Sequence, residues 1–251
     1  AEQLKTSLVQ DWTALGKPVL ITACPSCTRF LTEALPEIKC ISLPEFICNN
    51  GIYPNIDSDI AKGREFAVFD PCAARENHNM QAAVRKLLNE KNIKFFELEQ
   101  KGNYGCCGFG GDVSIASPEF ADYVAEKRAD MSEKAYITYC INCRDVFADR
   151  NKEAIHILDI LFGSSCISGE SADFTTRRRN REILKTRMLE TYWGEQMIND
   201  ESKYEFEIIY DDNIKQKIKK LHLVEEDIKE VIYRANSLNR RIYNADAEEY
   251  T

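Results

Sequence analysis

Apolar residues along the first 163 positions alternate between two rhythms. Residues 18–23 (PVLITA) are a short apolar run between Gly16 and Pro25. Residues 65–70 (EFAVFD) alternate and are rich in Phe and Val. Both read as strands, as do residues 39–42, 93–98 and 135–139. Helical spacing lies between them, over residues 25–35 and over 77–91 with Val84, Leu87 and Leu88. Pro44 to Asn50 reads as a short helical turn. Ser117-Pro118-Glu119 predicts a helix start, with Ser as N-cap and Pro at the first helical position, running to about residue 133. A short helix follows from Asn142, and residues 154–162 close the unit. Such alternation predicts an α/β fold with Rossmann-like, mainly parallel sheet units covered by helices.

The chain also repeats itself. A shift of 116 residues places Cys24 on Cys140 and Cys27 on Cys143. Without a gap, Pro18 to Thr22 lies on Lys134 to Thr138, and Leu4, Leu8 and Leu15 lie on Phe120, Val124 and Met131. Residues 1–63 therefore read as a partial first copy and residues 64–163 as a complete second copy. On this reading about 70 residues of the first copy are expected ahead of Ala1, from the usual size of such units. The opening AEQLKTSLVQ has no initiator Met, which suits a processed chain or an excerpt.

Beyond residue 163 the pattern changes. Residues 163–173 are rich in Gly and Ser and read as a linker. A charged amphipathic helix is expected over 176–193, a strand over 205–210, and helices around Ile214/Ile218/Leu221 and Ile228/Val231/Ile232/Ala235. The final RRIYNADAEEYT reads as a strand, an Asn-Ala-Asp turn and a second strand. A lone hairpin is marginal in water, so this small α+β segment, 164–251, is expected to be incomplete.

Composition narrows the chemistry. Of 251 residues, 44% are hydrophobic, enough for a sizeable core, and the net charge is −8. A nucleic-acid or anionic-membrane binder would carry a basic footprint. The one basic run, Arg177-Arg178-Arg179, has acidic neighbours and reads as a solvated face. No apolar run approaches the roughly 20 residues of a membrane span, and no signal peptide is visible; a cytoplasmic location is expected. Ten cysteines in a long acidic chain favour metal or redox chemistry over a disulfide framework.

Five of them form a constellation. Cys72 follows strand 65–70, Cys106 and Cys107 follow strand 93–98 and a loop, and Cys140 and Cys143 follow strand 135–139. In a parallel sheet these strand ends share one edge, where ligands bind. Helix starts after Cys72 and Cys140 favour thiolate, the form that ligates metal. Gly105, Gly108, Gly110 and Gly111 surround the cysteine pair. They admit positive φ and let backbone N–H groups approach cluster sulfides. Structural zinc takes four ligands, one fewer than the five cysteines here; it stands as the alternative, in an assembly domain of a larger oxidoreductase. Gly105 to Gly111 lacks the G-x-G-x-x-G spacing of a dinucleotide fingerprint.

Asp70-Pro71-Cys72, Cys106-Cys107-Gly108-Phe109-Gly110-Gly111 and Cys140-x-x-Cys143 resemble the CCG cysteine-rich domain. That domain occurs in the cysteine-rich subunit of heterodisulfide reductase and in iron–sulfur subunits of glycolate and lactate oxidases. The resemblance covers residues 1 to about 163. It implies an oxidoreductase subunit with one noncubane [4Fe–4S] cluster on Cys72, Cys106, Cys107, Cys140 and Cys143. It also implies a flavin- or ferredoxin-type electron donor, and a disulfide or another carrier as acceptor. Zinc is an expected substitute in recombinant material. The first copy keeps only Cys24 and Cys27, too few to hold such a cluster, so one cluster is expected. The C-terminal segment resembles tails on bacterial fusions of this domain with flavin disulfide oxidoreductases, without a specific motif.

Other residues carry blander readings. Cys40 and Cys48 suit small buried hydrophobes, Cys166 an exposed linker, and His156, between two isoleucines, a satisfied core histidine. His78 is expected at the surface. Asp70 and Arg75 flank Cys72, where orienting a ligand and a purely structural role are equally open.

Overall fold

The computed structural model describes residues 2–53, 61–98, 105–110, 112–163, 171–195, 204, 206–240, 243–244 and 249–250, the last four as backbone only. Two compact units are present, Ala1–Ser171 and Ala172–Thr251. Residues 1–63 and 64–163 thus lie in one unit.

That first unit opens with helix α1 (Glu2–Ala14), strand β1 (Leu20–Thr22), helix α2 (Pro25–Ala34), strand β2 (Cys40–Ser42) and helix α3 (Leu43–Asn50). Strands β1 and β2 pair in parallel, Leu20 opposite Cys40. Trp12, Leu31, Leu35 and Ile38 bury a small core between α1 and α2. Next come β3 (Glu65–Val68), α4 (His78–Glu90), β4 (Lys94–Glu97), α5 (Val113–Ala116), α6 (Pro118–Ala129), β5 (Tyr136–Thr138), α7 (Ile141–Ala148), β6 (Ala154–His156) and α8 (Ile157–Phe162).

The four later strands make one parallel sheet in the order β4-β3-β5-β6. The alternation of strand side chains divides its core in two. Phe66, Val68 and Ile137 point into one cluster with Val84, Leu87, Ile157 and Ile160. Ala67, Phe69 and Tyr136 point into the other, with Phe147, Cys107, Cys140 and Cys143. Both faces are covered, as a parallel sheet requires. The chain leaves β3 for β4 on one side and returns to β5 on the other. The carboxyl ends of β3 and β5 therefore border the crevice where strand order reverses.

The internal repeat is visible in the backbone. Helix α1 matches α6, β1 matches β5, and the pairing of β1 with β2 repeats that of β5 with β6. Cys24 caps α2 at φ −111°, ψ 122°, and Cys140 caps α7 at φ −125°, ψ 120°. The division into a partial and a complete copy remains our proposal for how the unit arose.

Several local expectations change. After Cys72 the chain makes only a three-residue 3₁₀ turn, Cys72–Ala74, and α4 starts at His78, capped by the Asn77 side chain. Ser117 sits at the start of α6, but its hydroxyl makes no cap hydrogen bond. Its φ of −149° and ψ of 78° end the preceding α5, and Pro118 supplies the start signal. Residues 206–210 are not a strand.

The second unit holds α9 (Phe174–Met188), continued by a π-helical turn at Leu189–Trp193, then α10 (Asp212–Lys220) and α11 (Glu225–Ser237). Strands β7 (Tyr243–Asn244) and β8 (Glu249–Tyr250) form the expected antiparallel hairpin. The basic run is partnered rather than merely solvated. Arg178 pairs with Asp227 at 2.8 Å, and Arg179 pairs with Glu226 at 3.1 Å, joining α9 to α11. Such exposed pairs orient helices more than they stabilise them. Among the described residues, no helix is long and apolar enough to cross a membrane.

Candidate metal centre

Cys72 lies four residues beyond the end of β3, Cys140 two beyond β5, and Cys143 one turn into α7. Cys106 and Cys107 come from the glycine-rich loop that follows β4. The fold brings all five to the β3–β5 crevice, where their sulfurs run in file. The Cys72 thiol donates to Cys106, Cys107 donates to Cys106, and Cys143 lies within hydrogen-bond reach of both Cys107 and Cys140. Cys107, Cys140 and Cys143 are buried, while Cys72 and Cys106 are partly exposed.

These contacts separate the protonation states. Donation from the Cys107 and Cys72 thiols holds Cys106 down to about 2, helped by the N–H groups of Gly108 and Gly110. Cys140 accepts from the Cys143 thiol and is held at about 7, against the opposing effect of burial. Cys107, as donor to Cys106 and buried, is pushed up to about 12. Cys72 and Cys143 rise for the same donor reason, reinforced by burial. Cys106 is thus the thiol most readily ionised by its neighbours, and metal uptake must displace the protons of the donors.

The glycines have separate tasks. Gly108 adopts φ +90°, and a Cβ there would lie 2.7 Å from the Ala121 carbonyl oxygen. Its N–H donates to the Cys106 sulfur at 3.3 Å. The small residues Ala121, Ala125 and Ala129 on the buried face of α6 permit that approach. Gly105 packs so tightly that a Cβ would meet the Arg128 guanidinium at 2.7 Å. Gly110 has open space around it and contributes its N–H to Cys106. Gly111 lies outside the described residues.

Beneath the sulfurs, Phe69, Tyr136 and Phe147 form an aromatic trio. Phe147 meets the other two edge-on, at 4.7 and 5.1 Å between centroids. The offset and edge contacts are those aromatic rings prefer, and they keep water from the inner thiols. Beside Cys72 the structure is open instead. A cavity of about 620 Å³ lies there, lined by Pro25, Thr28 and Arg29 of α2 and by Arg75 and His78. His78 is exposed, as expected, but at the cavity wall.

Sequence reading singled out Asp70 beside Cys72 but missed its partners. Asp70 is buried and accepts hydrogen bonds from the Tyr139 hydroxyl at 2.7 Å and from both terminal nitrogens of Arg85 at 2.6 and 2.7 Å. Arg85 also reaches Glu97. Asp70 and Tyr139 stand just before Cys72 and Cys140, which is a usable signal; Arg85 on α4 gives none. His156 is a core histidine, its Nδ1 accepting the Leu158 N–H at 3.2 Å.

Among the described residues, no three Cys, His, Asp or Glu side chains surround a single-ion position. The donor set fits a thiolate-ligated iron–sulfur cluster: five soft ligands in file, two described backbone N–H groups aimed at sulfur, and a dry floor.

The fold and site define a cysteine-rich α/β domain with a thiol centre at its strand ends. Residues 66–148 match the family described as CCG, cysteine-rich domain. Three curated relatives carry the comparison further. The chain is 31% identical over 140 residues to a fumarate reductase (CoM/CoB) subunit of Methanothermobacter marburgensis, covering 51% of this chain and 27% of that protein. It is 27% identical over 150 residues to an uncharacterized iron–sulfur protein of Methanococcus maripaludis, covering 57% of this chain and 29% of that one. A second uncharacterized iron–sulfur protein, from Methanocaldococcus jannaschii, is 26% identical over 152 residues, with the same coverage. The matched region thus spans less than a third of each relative. No solved structure matches the chain.

Proposed function

We propose that the chain is an iron–sulfur redox protein in which Cys72, Cys106, Cys107, Cys140 and Cys143 hold a noncubane [4Fe–4S] cluster. The observation that carries this is the unbroken file of five sulfurs at the β3–β5 crevice. A bound cluster would supply one-electron chemistry at a potential set by its surroundings. The chain's own residues set those surroundings. Gly108 and Gly110 aim N–H groups at the Cys106 sulfur, and Phe69, Tyr136 and Phe147 exclude water from below. The cavity beside Cys72 leaves one edge of the centre reachable, with Arg29, Arg75 and His78 at its walls. A disulfide substrate or another carrier would approach there, and a flavin- or ferredoxin-type subunit would deliver the electrons. The relative named as a fumarate reductase subunit supports membership of a multi-subunit redox complex. The described cysteines are all free thiols, which suits a reducing compartment such as the cytoplasm.

The test is anaerobic reconstitution with iron and sulfide, followed by iron, zinc and acid-labile sulfide analysis and EPR. The expected result is iron and sulfide in equal amounts with a redox-dependent EPR signal, both lost in Cys107→Ser. Stoichiometric zinc with no iron in native protein would overturn the reading in favour of a structural zinc domain.

A further inference from the structure

Every strand end that leads to a thiol contributes one polar group to a single connected chain. Strand β4 ends in Glu97, β3 runs into Asp70, and β5 runs into Tyr139. Arg85, from α4, is the hub. It binds Glu97 through Nε at 3.0 Å and through a second nitrogen, and binds Asp70 through both terminal nitrogens. Asp70 then accepts from Tyr139. The order Glu97–Asp70–Tyr139 follows the strand order β4-β3-β5, with Asp70 two residues before Cys72 and Tyr139 just before Cys140.

We infer that the Glu97–Arg85–Asp70–Tyr139 chain is a positioning device of the thiol centre, setting the separation of the β3 and β5 strand ends that lead to Cys72 and Cys140. This rests on the proposed cluster site but concerns the protein's own geometry.

Three physical points support it. Asp70 is two residues from Cys72 and Tyr139 is adjacent to Cys140, so neither main chain can move without straining the hydrogen bond between them. The parallel ladder itself registers β3 to β5 through only two residue pairs, Ala67 with Tyr136 and Val68 with Ile137. The side-chain bond at the strand ends supplies the constraint that so short a ladder leaves out. The bonds are also of the strong kind, a bidentate guanidinium–carboxylate pair and a phenol donating to a buried carboxylate.

The experiment uses the full chain and compares Tyr139→Phe and Asp70→Asn with Ile155→Val, a core change on β6 outside the network. In metal-free, reduced protein, alkylation of Cys72 and Cys140 is followed by mass spectrometry. Tyr139→Phe should speed Cys140 alkylation about tenfold, as expected when a strong buried hydrogen bond guarding a local opening is lost. Ile155→Val should leave that rate unchanged. In reconstituted protein, Tyr139→Phe should broaden the EPR signal while iron content holds. Equal alkylation in Tyr139→Phe and Ile155→Val would overturn the inference. Wild-type protein that takes up no iron would overturn the cluster reading and leave the alkylation comparison standing. Should Asp70→Asn fail to fold, Tyr139→Phe still decides, because it removes one oxygen from an otherwise isosteric ring.

Discussion

Gly108 shows how a single residue governs the thiol centre. Its φ of +90° is open to glycine and strained for a side chain, and a Cβ would press against the Ala121 carbonyl. Gly108→Ala should therefore cost about 2 kcal/mol, measured by urea unfolding, and should reduce iron uptake by moving the N–H that faces the Cys106 sulfur. The five thiols were legible because their chemistry is carried by residue type and spacing. Gly108 was legible too, as a glycine beside a cysteine pair. The partners of Asp70 were not. Arg85 lies 15 positions from Asp70 and Tyr139 lies 69, and nothing in a linear pattern ties such residues together.

Among elements, caps decided where helices begin. Helix α3 is closed by a capping box, with Ser42 accepting the Glu45 N–H and the Glu45 carboxylate accepting the Ser42 N–H. At the equivalent place in the second copy, His156 caps α8 with Nδ1 instead of a hydroxyl. Burial lowers its pKa below the ordinary value. The unfolded chain therefore binds a proton that the folded chain refuses, between the ordinary histidine value of about 6.5 and the lowered folded one. Stability from this site is present above about pH 6.5 and is lost as pH falls through that window. Melting temperature should drop from pH 7 to 5.5, and His156→Asn, which keeps a cap acceptor without titrating there, should flatten the drop. Strand positions were legible from alternation, but their lengths were overread: β1 and β5 each hold three residues. Residues 206–210 carry a strand-like composition and form no ladder with any described residue, because a strand needs a neighbour that sequence alone does not provide.

Across the whole molecule, the thiol centre belongs to the unit Ala1–Ser171 and not to Ala172–Thr251. A ligand that binds only the folded state stabilises the unit that holds it. Cluster loading should slow amide hydrogen exchange in β3, β5 and α7 and leave α9 to α11 unchanged, read by mass spectrometry on metal-free and reconstituted protein. Equal protection of both units would mean that the second unit also feels the centre. By itself the sequence determined the alternation of strands and helices, the internal repeat and the five thiols. Each of these is written in covalent order, in periodicity or in side-chain chemistry. Only the tertiary structure decided the strand order β4-β3-β5-β6, the file in which the sulfurs meet, the cavity beside Cys72 and the polar chain behind them. Those depend on register and crossover between segments far apart in sequence, where packing rather than local preference selects the arrangement.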